Sequence, residues 1–294
     1  VQDALTEARL LRYGGDRTSS FVAFRRLTLT HPESVAAWEG AVDTVPDDGR
    51  AALKARLKER LDSFAGDPRQ TVALQTIHAM LVTDLVLREK TLTPLTEIGG
   101  PDRGWPHAAL GRIFRDRGNP QAALDSFADA VRKTPTLARG WGAIAELYAV
   151  TGRTRRSIAA WERYLRYRPA DPDALFNLAF LLARKEGRPR DAQPYLERAL
   201  TVRPDDAGIL LNLGSVCLMR REPDPQTAEE CFLKALAIPP EDPTVHYNLG
   251  VLYADHRGAP DKAVLHFQEY LRLGGSERTR VETWVKELKA GKQP

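Results

Sequence analysis

The chain has 294 residues, of which 43% are hydrophobic and 28% are charged, and its 43 basic residues give a net charge of only +4 against 39 acidic residues. Such a small excess is far from the dense basic patch of a phosphate-binding surface, so nucleic acid is not a favoured partner. No apolar run approaches the roughly 18 residues of a membrane span. Two cysteines, Cys217 and Cys231, fit neither a disulfide framework nor a zinc signature.

The first third of the chain predicts helix pairs of irregular spacing. Residues 1–34 indicate two helices, and residues 35–64 indicate a second pair around Trp38, with a turn at 46–49. Residues 70–90 predict one helix with Leu74, Leu81 and Leu85 on one face. A short helix capped by Thr93 follows, and then a glycine-rich loop at 99–104. We interpret residues 91–103 as a seam that ends an irregular block of residues 1–103, with a hinge and a degenerate repeat both open.

From residue 104 the chain repeats with a period of about 35 residues, which predicts stacked helix pairs. Units begin at 104, 138, 172, 207 and 243, and they form a regular block over 104–277. Their eighth position is always small: Gly111, Ala145, Ala179, Gly214 and Gly250. The second helix of each unit carries one large residue: Phe127, Trp161, Leu196, Phe232 and Phe267. The small residue lets the two helices approach closely, and the large one fills the groove.

The packing of the helix pairs also predicts where the repeat length varies and how the array ends. Extra residues are predicted in the inter-helix turns at 187–189 and 222–225, where insertion disturbs little packing. Residues 278–294 are predicted as a capping helix and tail, because Val281, Trp284, Val285 and Leu288 share one helical face.

These residues resemble the tetratricopeptide repeat. One unit follows the family pattern closely, through Trp141, Ile144, Ala145, Tyr148, Gly152, Trp161 and Pro169. The resemblance implies an all-α, right-handed superhelical α-solenoid of antiparallel helix pairs. It also implies that the first helices line a concave groove where extended peptides commonly bind.

The groove face is predicted from the helix positions that packing does not use. In the first regular units it is cationic, with Arg112, Arg115 and Arg139 as candidate binding residues. In the later units it is apolar with a row of amides, and the candidates there are Phe176, Asn177, Phe180, Arg184, Leu211, Asn212, Met219, Tyr247 and Asn248.

Asparagine suits such a groove because its side-chain amide offers a donor and an acceptor to an extended peptide backbone. Asn177, Asn212 and Asn248 resemble a three-rung version of the asparagine ladder in the tetratricopeptide arm of O-linked N-acetylglucosamine transferase. Asparagine is also common at this position across the family, so a purely inherited consensus remains the alternative.

No phosphate loop, nucleophile elbow or metal-ligand signature occurs, so neither an enzyme activity nor a cofactor or metal is predicted. The sequence predicts a non-catalytic adaptor or scaffold that binds an extended segment of another protein. The alternatives are the substrate-recruiting arm of a larger enzyme and a self-assembling scaffold. The alanine- and arginine-rich composition suggests a bacterial source. Similar repeat proteins in bacteria often serve envelope assembly or secretion, so the resemblance implies such a role. The absence of a starting methionine keeps a processed protein open, and the expectation leans towards the periplasm or cell envelope over the cytoplasm.

Overall fold

The computed structural model describes residues 2–13, 15–63, 68–100 and 102–291. The chain divides into two compact units, Val1–Pro169 and Ala170–Pro294. The seam predicted at residues 91–103 lies inside the first unit. Residue 14, residues 64–67, residue 101 and the predicted tail at 292–294 lie outside the described residues.

The described part of the chain folds into α-helices without strands, so the predicted all-α class of stacked helix pairs is confirmed. The first unit contains α1 (Gln2–Tyr13), α2 (Arg17–Thr30), α3 (Val35–Thr44), α4 (Arg50–Asp62), α5 (Pro68–Met80), α6 (Leu85–Leu92), α7 (Trp105–Asp116), α8 (Pro120–Lys133), α9 (Ala138–Val150) and α10 (Thr154–Tyr167). The second contains α11 (Pro172–Phe180), α12 (Pro189–Val202), α13 (Ala207–Met219), α14 (Pro225–Leu236), α15 (Pro243–Val251), α16 (Pro260–Arg272) and α17 (Arg278–Lys289).

Small and large residues fit together within each pair, as the sequence predicts. A Cβ atom on Gly214 would lie 2.5 Å from Cε1 of Phe232, and one on Gly250 would lie 2.4 Å from Cε1 of Phe267. Both phenylalanines are almost completely buried. Close approach of the two helix backbones at these two points therefore requires glycine.

Local sequence sets where the helices of the second unit begin. Four of them begin after an aspartate whose side-chain oxygen accepts a hydrogen bond from a backbone N–H of the first turn: Asp171, Asp206, Asp224 and Asp242. Three of these aspartates are followed by proline, which lacks the N–H that a helix start leaves unpaired. Each first helix is thus fixed at its N-terminus by residues that can be read from the sequence.

The single helix predicted over residues 70–90 is wrong, because the chain forms α5 and α6 with a break between them. Tight-turn hydrogen bonds end α5, and the side chain of Asp84 caps the start of α6 by accepting from Leu87 N–H. The guanidinium of Arg88 donates to the carbonyl of Val82 at 2.7 Å and holds the break. The capping role predicted for Thr93 is also wrong, since its hydroxyl donates back to the carbonyl of Glu89.

The start of the predicted seam packs on α5 before it and on α7 after it. Leu92 is fully buried in a cluster with Ala79, Ala109 and Ile113 of α5 and α7. The end of the glycine-rich loop is anchored as well, since Gly104 N–H donates to Thr134 Oγ1 at 3.0 Å. These contacts lie within the first unit.

Two first helices of the second unit end in a π-helical turn, at Leu181–Lys185 and Leu252–His256. The N–H groups of Glu186 and Arg257 each donate to the carbonyl five residues earlier, both at 3.1 Å. The extra residue of the third repeat, which the sequence assigns to the turn at 187–189, is thus absorbed inside the helix end. In the fourth repeat the extra residues do lie in the turn, between Met219 and Pro225.

Candidate functional site

The three asparagines singled out by the sequence all lie in the second unit, one on each first helix. Asn177 is on α11, Asn212 is on α13 and Asn248 is on α15, and all three are partly exposed. Asn212 Nδ2 donates to the carbonyl of Gly208 within its own helix at 2.9 Å, which leaves its Oδ1 acceptor available. The side-chain amides of Asn177 and Asn248 form no hydrogen bond with any residue that the structure describes. The row therefore offers unused amide donors and acceptors at one position of three successive repeats.

Two apolar side chains beside this row are exposed. The exposed fraction is 41% for Phe180 and 39% for Met219, which is high for residues of this size. Leu211, in contrast, is only 7% exposed and belongs to the core of the unit, and Phe176 is partly buried. Phe180 and Met219 are thus the apolar members of the predicted set that a ligand can cover with a gain in buried area.

Tyr247 belongs to an aromatic cluster between the last repeat and α17. Its ring centroid lies 5.4 Å from that of Tyr270 and 6.0 Å from that of Trp284. The guanidinium of Arg280 lies over the ring of Trp284, 4.6 Å from its centroid. Burial raises the pKa of the Tyr247 phenol. The cluster attaches α17 to the last repeat, so Tyr247 has a packing role whatever else it contacts.

The predicted arginines are divided between the two units. Arg184 lies in the π-helical turn Leu181–Lys185 of the second unit. Its side chain is exposed, one helical turn after Phe180. Arg112, Arg115 and Arg139 lie in the first unit, on α7 and α9. Of the four arginines predicted for the groove, only Arg184 therefore lies on the same unit as the asparagines.

The three predicted arginines of the first unit lie near acidic side chains, and the sequence does not predict these neighbours. Arg139 Nε lies 3.0 Å from Glu39 Oε1, and its guanidinium also bonds the carboxylate of Asp43. Burial disfavours the charge of Arg139, but these two carboxylates outweigh it and raise its pKa. Arg115 pairs with Glu146 at 3.4 Å near the surface. The pKa of Arg112 is lowered by burial and then by the charge of Arg139.

A signal for this ion network is present in the sequence of α3. Glu39 and Asp43 stand one helical turn apart in a helix that is otherwise almost entirely apolar. Glu39 is only 8% exposed, and a carboxylate is rarely buried without a cationic partner. Two acids on the buried side of an apolar helix thus indicate paired cations, although they do not indicate which ones.

The cysteines and histidines form no group of three metal ligands among the residues that the structure describes. Cys217 and Cys231 are free and buried, and burial raises the pKa of Cys217 to about 11. His246 and His266 face each other instead, with their Nδ1 atoms 3.1 Å apart. These groups pack the interior of the second unit.

Stacked helix pairs with small-to-large packing and polar first-helix positions define a repeat scaffold of the protein-interaction class. Profiles of the tetratricopeptide repeat match residues 107–139, and also 143–186, 178–243 and 223–277. Together they cover more than half of the chain, and the protein belongs to the tetratricopeptide-repeat family. Repeats of this kind are general protein–protein interaction modules and are typically non-catalytic scaffolds.

Several solved structures resemble the chain. YrrB, described as a TPR protein with an unusual peptide-binding site, has a TM-score of 0.57 at 20% identity, over 64% of this chain and 94% of its own. MamA from Desulfovibrio magneticus RS-1 has a TM-score of 0.54 at 22% identity, over 60% of this chain and 97% of its own. The Cut9–Hcn1 structure of the APC/C has a TM-score of 0.55 at 15% identity, over 97% of this chain and 55% of its own. At these identities the likeness establishes the fold alone.

No curated protein sequence matches the chain. Among the described helices, none is both long enough and apolar enough to span a lipid bilayer.

Proposed function

We propose that the second unit binds an extended segment of a partner protein across α11, α13 and α15, and that the chain acts as a non-catalytic adaptor. The observation that carries this proposal is the row of amides at Asn177, Asn212 and Asn248, whose hydrogen-bonding groups remain largely unused inside the protein. An extended backbone presents N–H and C=O groups at regular intervals and lacks partners of its own. The amide side chains supply both kinds of partner.

Affinity in this scheme comes from apolar contacts beside the amides. Phe180 and Met219 are exposed on the same unit, and apolar anchors usually contribute most of the binding energy of a peptide. Arg184, exposed in the π-helical turn that follows Phe180, favours an acidic residue near that anchor. The ligand expected from these residues is an extended segment with spaced apolar residues and at least one acidic residue.

A backbone-specific test uses peptides selected from a random library against the wild-type chain. The triple variant Asn177→Ala, Asn212→Ala and Asn248→Ala is expected to bind such a peptide at least about tenfold more weakly, since each lost neutral hydrogen bond costs about 0.5–1.5 kcal/mol. A matched control is Gln268→Ala, which removes an exposed amide from the second helix α16. Fluorescence anisotropy measures both affinities.

N-methylation of the peptide distinguishes a ladder from general contact. Blocking single backbone N–H groups is expected to weaken binding to the wild-type chain and to have little further effect on the triple variant. Equal affinity of the triple variant and the wild type would remove the asparagines from the binding surface. The bacterial envelope setting implied by the family resemblance is a separate proposal, which fractionation of the native host tests.

A further inference from the structure

A cavity of about 330 Å³ lies in the first unit, between the starts of α3, α7 and α9 and the end of α10. Its charged lining consists of Arg9, Glu39, Asp102, Arg139 and Arg168. A smaller cavity shares Arg9, Glu39, Arg139 and Arg168 with it, so the two form one charged region. Four helices and one helix end contribute to this lining, and all of them belong to the first unit.

The carboxylates nearest to the cavity are already bonded. Glu39 accepts from Arg139 at 3.0 Å and from Arg168 at 3.5 Å. Asp43 bonds Arg139 and also lies 3.3 Å from Arg12. Three guanidinium groups therefore converge on two carboxylates before Arg9 is considered.

Arg9 adds a further positive charge to this region. It lines both cavities, is half-buried, and forms no hydrogen bond or ion pair within the described part of the chain. Burial and then the charge of Arg168 lower the pKa of Arg9. Asp102 is the second acid of the larger cavity, beside Glu39 and against three arginines, and burial raises the pKa of its carboxyl group. The region thus carries an excess of positive charge that is removed from water.

The start of α9 adds to the same potential. This helix begins at Ala138, which lines the cavity, and Leu137 before it provides no side-chain cap. The first backbone N–H groups of a helix lack partners within the helix, and its N-terminus carries a partial positive charge. The helix end supports the electrostatic argument that the arginines carry.

We propose that this cavity binds a tetrahedral oxyanion of the phosphate type, held between Arg9 and Arg168. The guanidinium groups of Arg9, Arg168 and Arg139 line the cavity from α1, the end of α10 and α9. Donors from three directions suit the three or four acceptor oxygens of a tetrahedral anion better than the two coplanar oxygens of a carboxylate. Both inorganic phosphate and a phosphate monoester present this chemistry.

The test is a titration of the full chain with inorganic phosphate at constant ionic strength, followed by calorimetry and by the NMR signals of the arginine Nε–H groups. Saturable binding that shifts the Arg9 and Arg168 signals is expected. Arg9→Gln is expected to weaken it about tenfold, since a hydrogen bond to a charged group is lost. Because Arg9 forms no ion pair with any described residue, this variant leaves the network of Glu39, Asp43, Arg139 and Arg168 intact. The matched control is Arg25→Gln on the exposed face of α2, with affinity unchanged.

Parallel titrations with phosphoserine and acetate complete the experiment. Binding of phosphoserine as tight as that of phosphate supports the proposal and points to a monoester, whereas binding of phosphate alone supports it and points to the free ion. Acetate binding as tight as phosphate, a linear shift without saturation, or equal affinity of Arg9→Gln and wild type would each overturn it. None of these outcomes bears on the peptide surface, which lies on the other unit.

Discussion

Arg139 on α9 contacts Glu39 on α3 through a bond of 3.0 Å, although α4 to α8 separate the two helices in the chain. Glu39 is 8% exposed and accepts from Arg168 as well. In a simple linear array of repeats, each helix pair contacts only its neighbours in the chain. The bond between Glu39 and Arg139 instead joins α3 to α9, which are far apart in the chain.

Glu39→Gln is expected to destabilise the first unit by about 3 kcal/mol, because it leaves buried guanidinium groups without a full countercharge. Urea unfolding followed by circular dichroism measures the change. Glu146→Gln is the matched control, since Glu146 pairs with Arg115 near the surface and its loss should cost less than about 1 kcal/mol. Equal effects of the two substitutions would contradict the view that the Glu39 contact is structurally special.

Gly214→Ala is expected to destabilise the second unit by about 1–3 kcal/mol, because the new Cβ atom overlaps the ring of Phe232. Gly208→Ala on the same helix is the control. Its Cβ meets only an oxygen of Asp206, at 3.2 Å, so the change should stay within about 1 kcal/mol. Thermal unfolding of the two variants compares tight packing with helix propensity in a single helix.

The histidine pair predicts a loss of stability in mild acid. Burial and then His246 lower the pKa of His266 below the ordinary value of 6.5, with Lys262 acting in the same direction and Glu269 against it. The folded state therefore favours the neutral ring. Its contribution is present above about pH 6.5 and is lost as the pH falls through the lower folded pKa.

His266→Phe keeps a ring beside Tyr253 and is expected to reduce the slope of melting temperature against pH between pH 7 and pH 5. His256→Gln, on the same unit but outside the pair, should keep the wild-type slope. Burial also lowers the pKa values of His78 and His107. Both residues are present in the wild type and in the two variants, so their contributions to the slope cancel in the comparison. An unchanged slope in His266→Phe would show that the pair does not titrate in this range.

Cys217 is expected to react slowly with thiol reagents in the folded protein. Burial, with a contribution from Cys231, raises its pKa from 9.0 to about 11, so the reactive thiolate is scarce at neutral pH. The stability that Cys217 contributes is present below pH 9 and declines as the pH rises through about 11. Iodoacetamide labelling of a Cys231→Ser variant, read by mass spectrometry, should be far slower in buffer than in urea. Equal rates would indicate that the thiol is accessible.

Much of the second unit follows from the sequence because its determinants are local. The glycine or alanine at the eighth position, the large residue on the second helix and the aspartate caps all act within one helix pair. Their spacing predicts α11 to α16 and the fit of Gly214 against Phe232. The break between α5 and α6 was missed because apolar residues continue at helical spacing through it, and only the cap at Asp84 and the Arg88 contact end the helix.

The candidate residues show the same division between local and long-range information. The periodicity places Asn177, Asn212 and Asn248 on equivalent positions of three first helices, as the structure has them. It does not distinguish the exposed Phe180 from the buried Leu211, because both share the predicted face. Exposure depends on how neighbouring helices cover that face, and that covering is a property of packing.

By itself, the sequence determined the helix pairs, their family and the amide row, because those features repeat and depend on residues a few positions apart. Only the tertiary structure decided that Arg139 is bound to Glu39 and Asp43 in the first unit, and that Tyr247 holds α17. It also decided that Arg9 remains beside a cavity without a partner among the described residues. These outcomes depend on contacts between distant parts of the chain, and a charged or aromatic residue looks the same in sequence whether or not it meets such a partner.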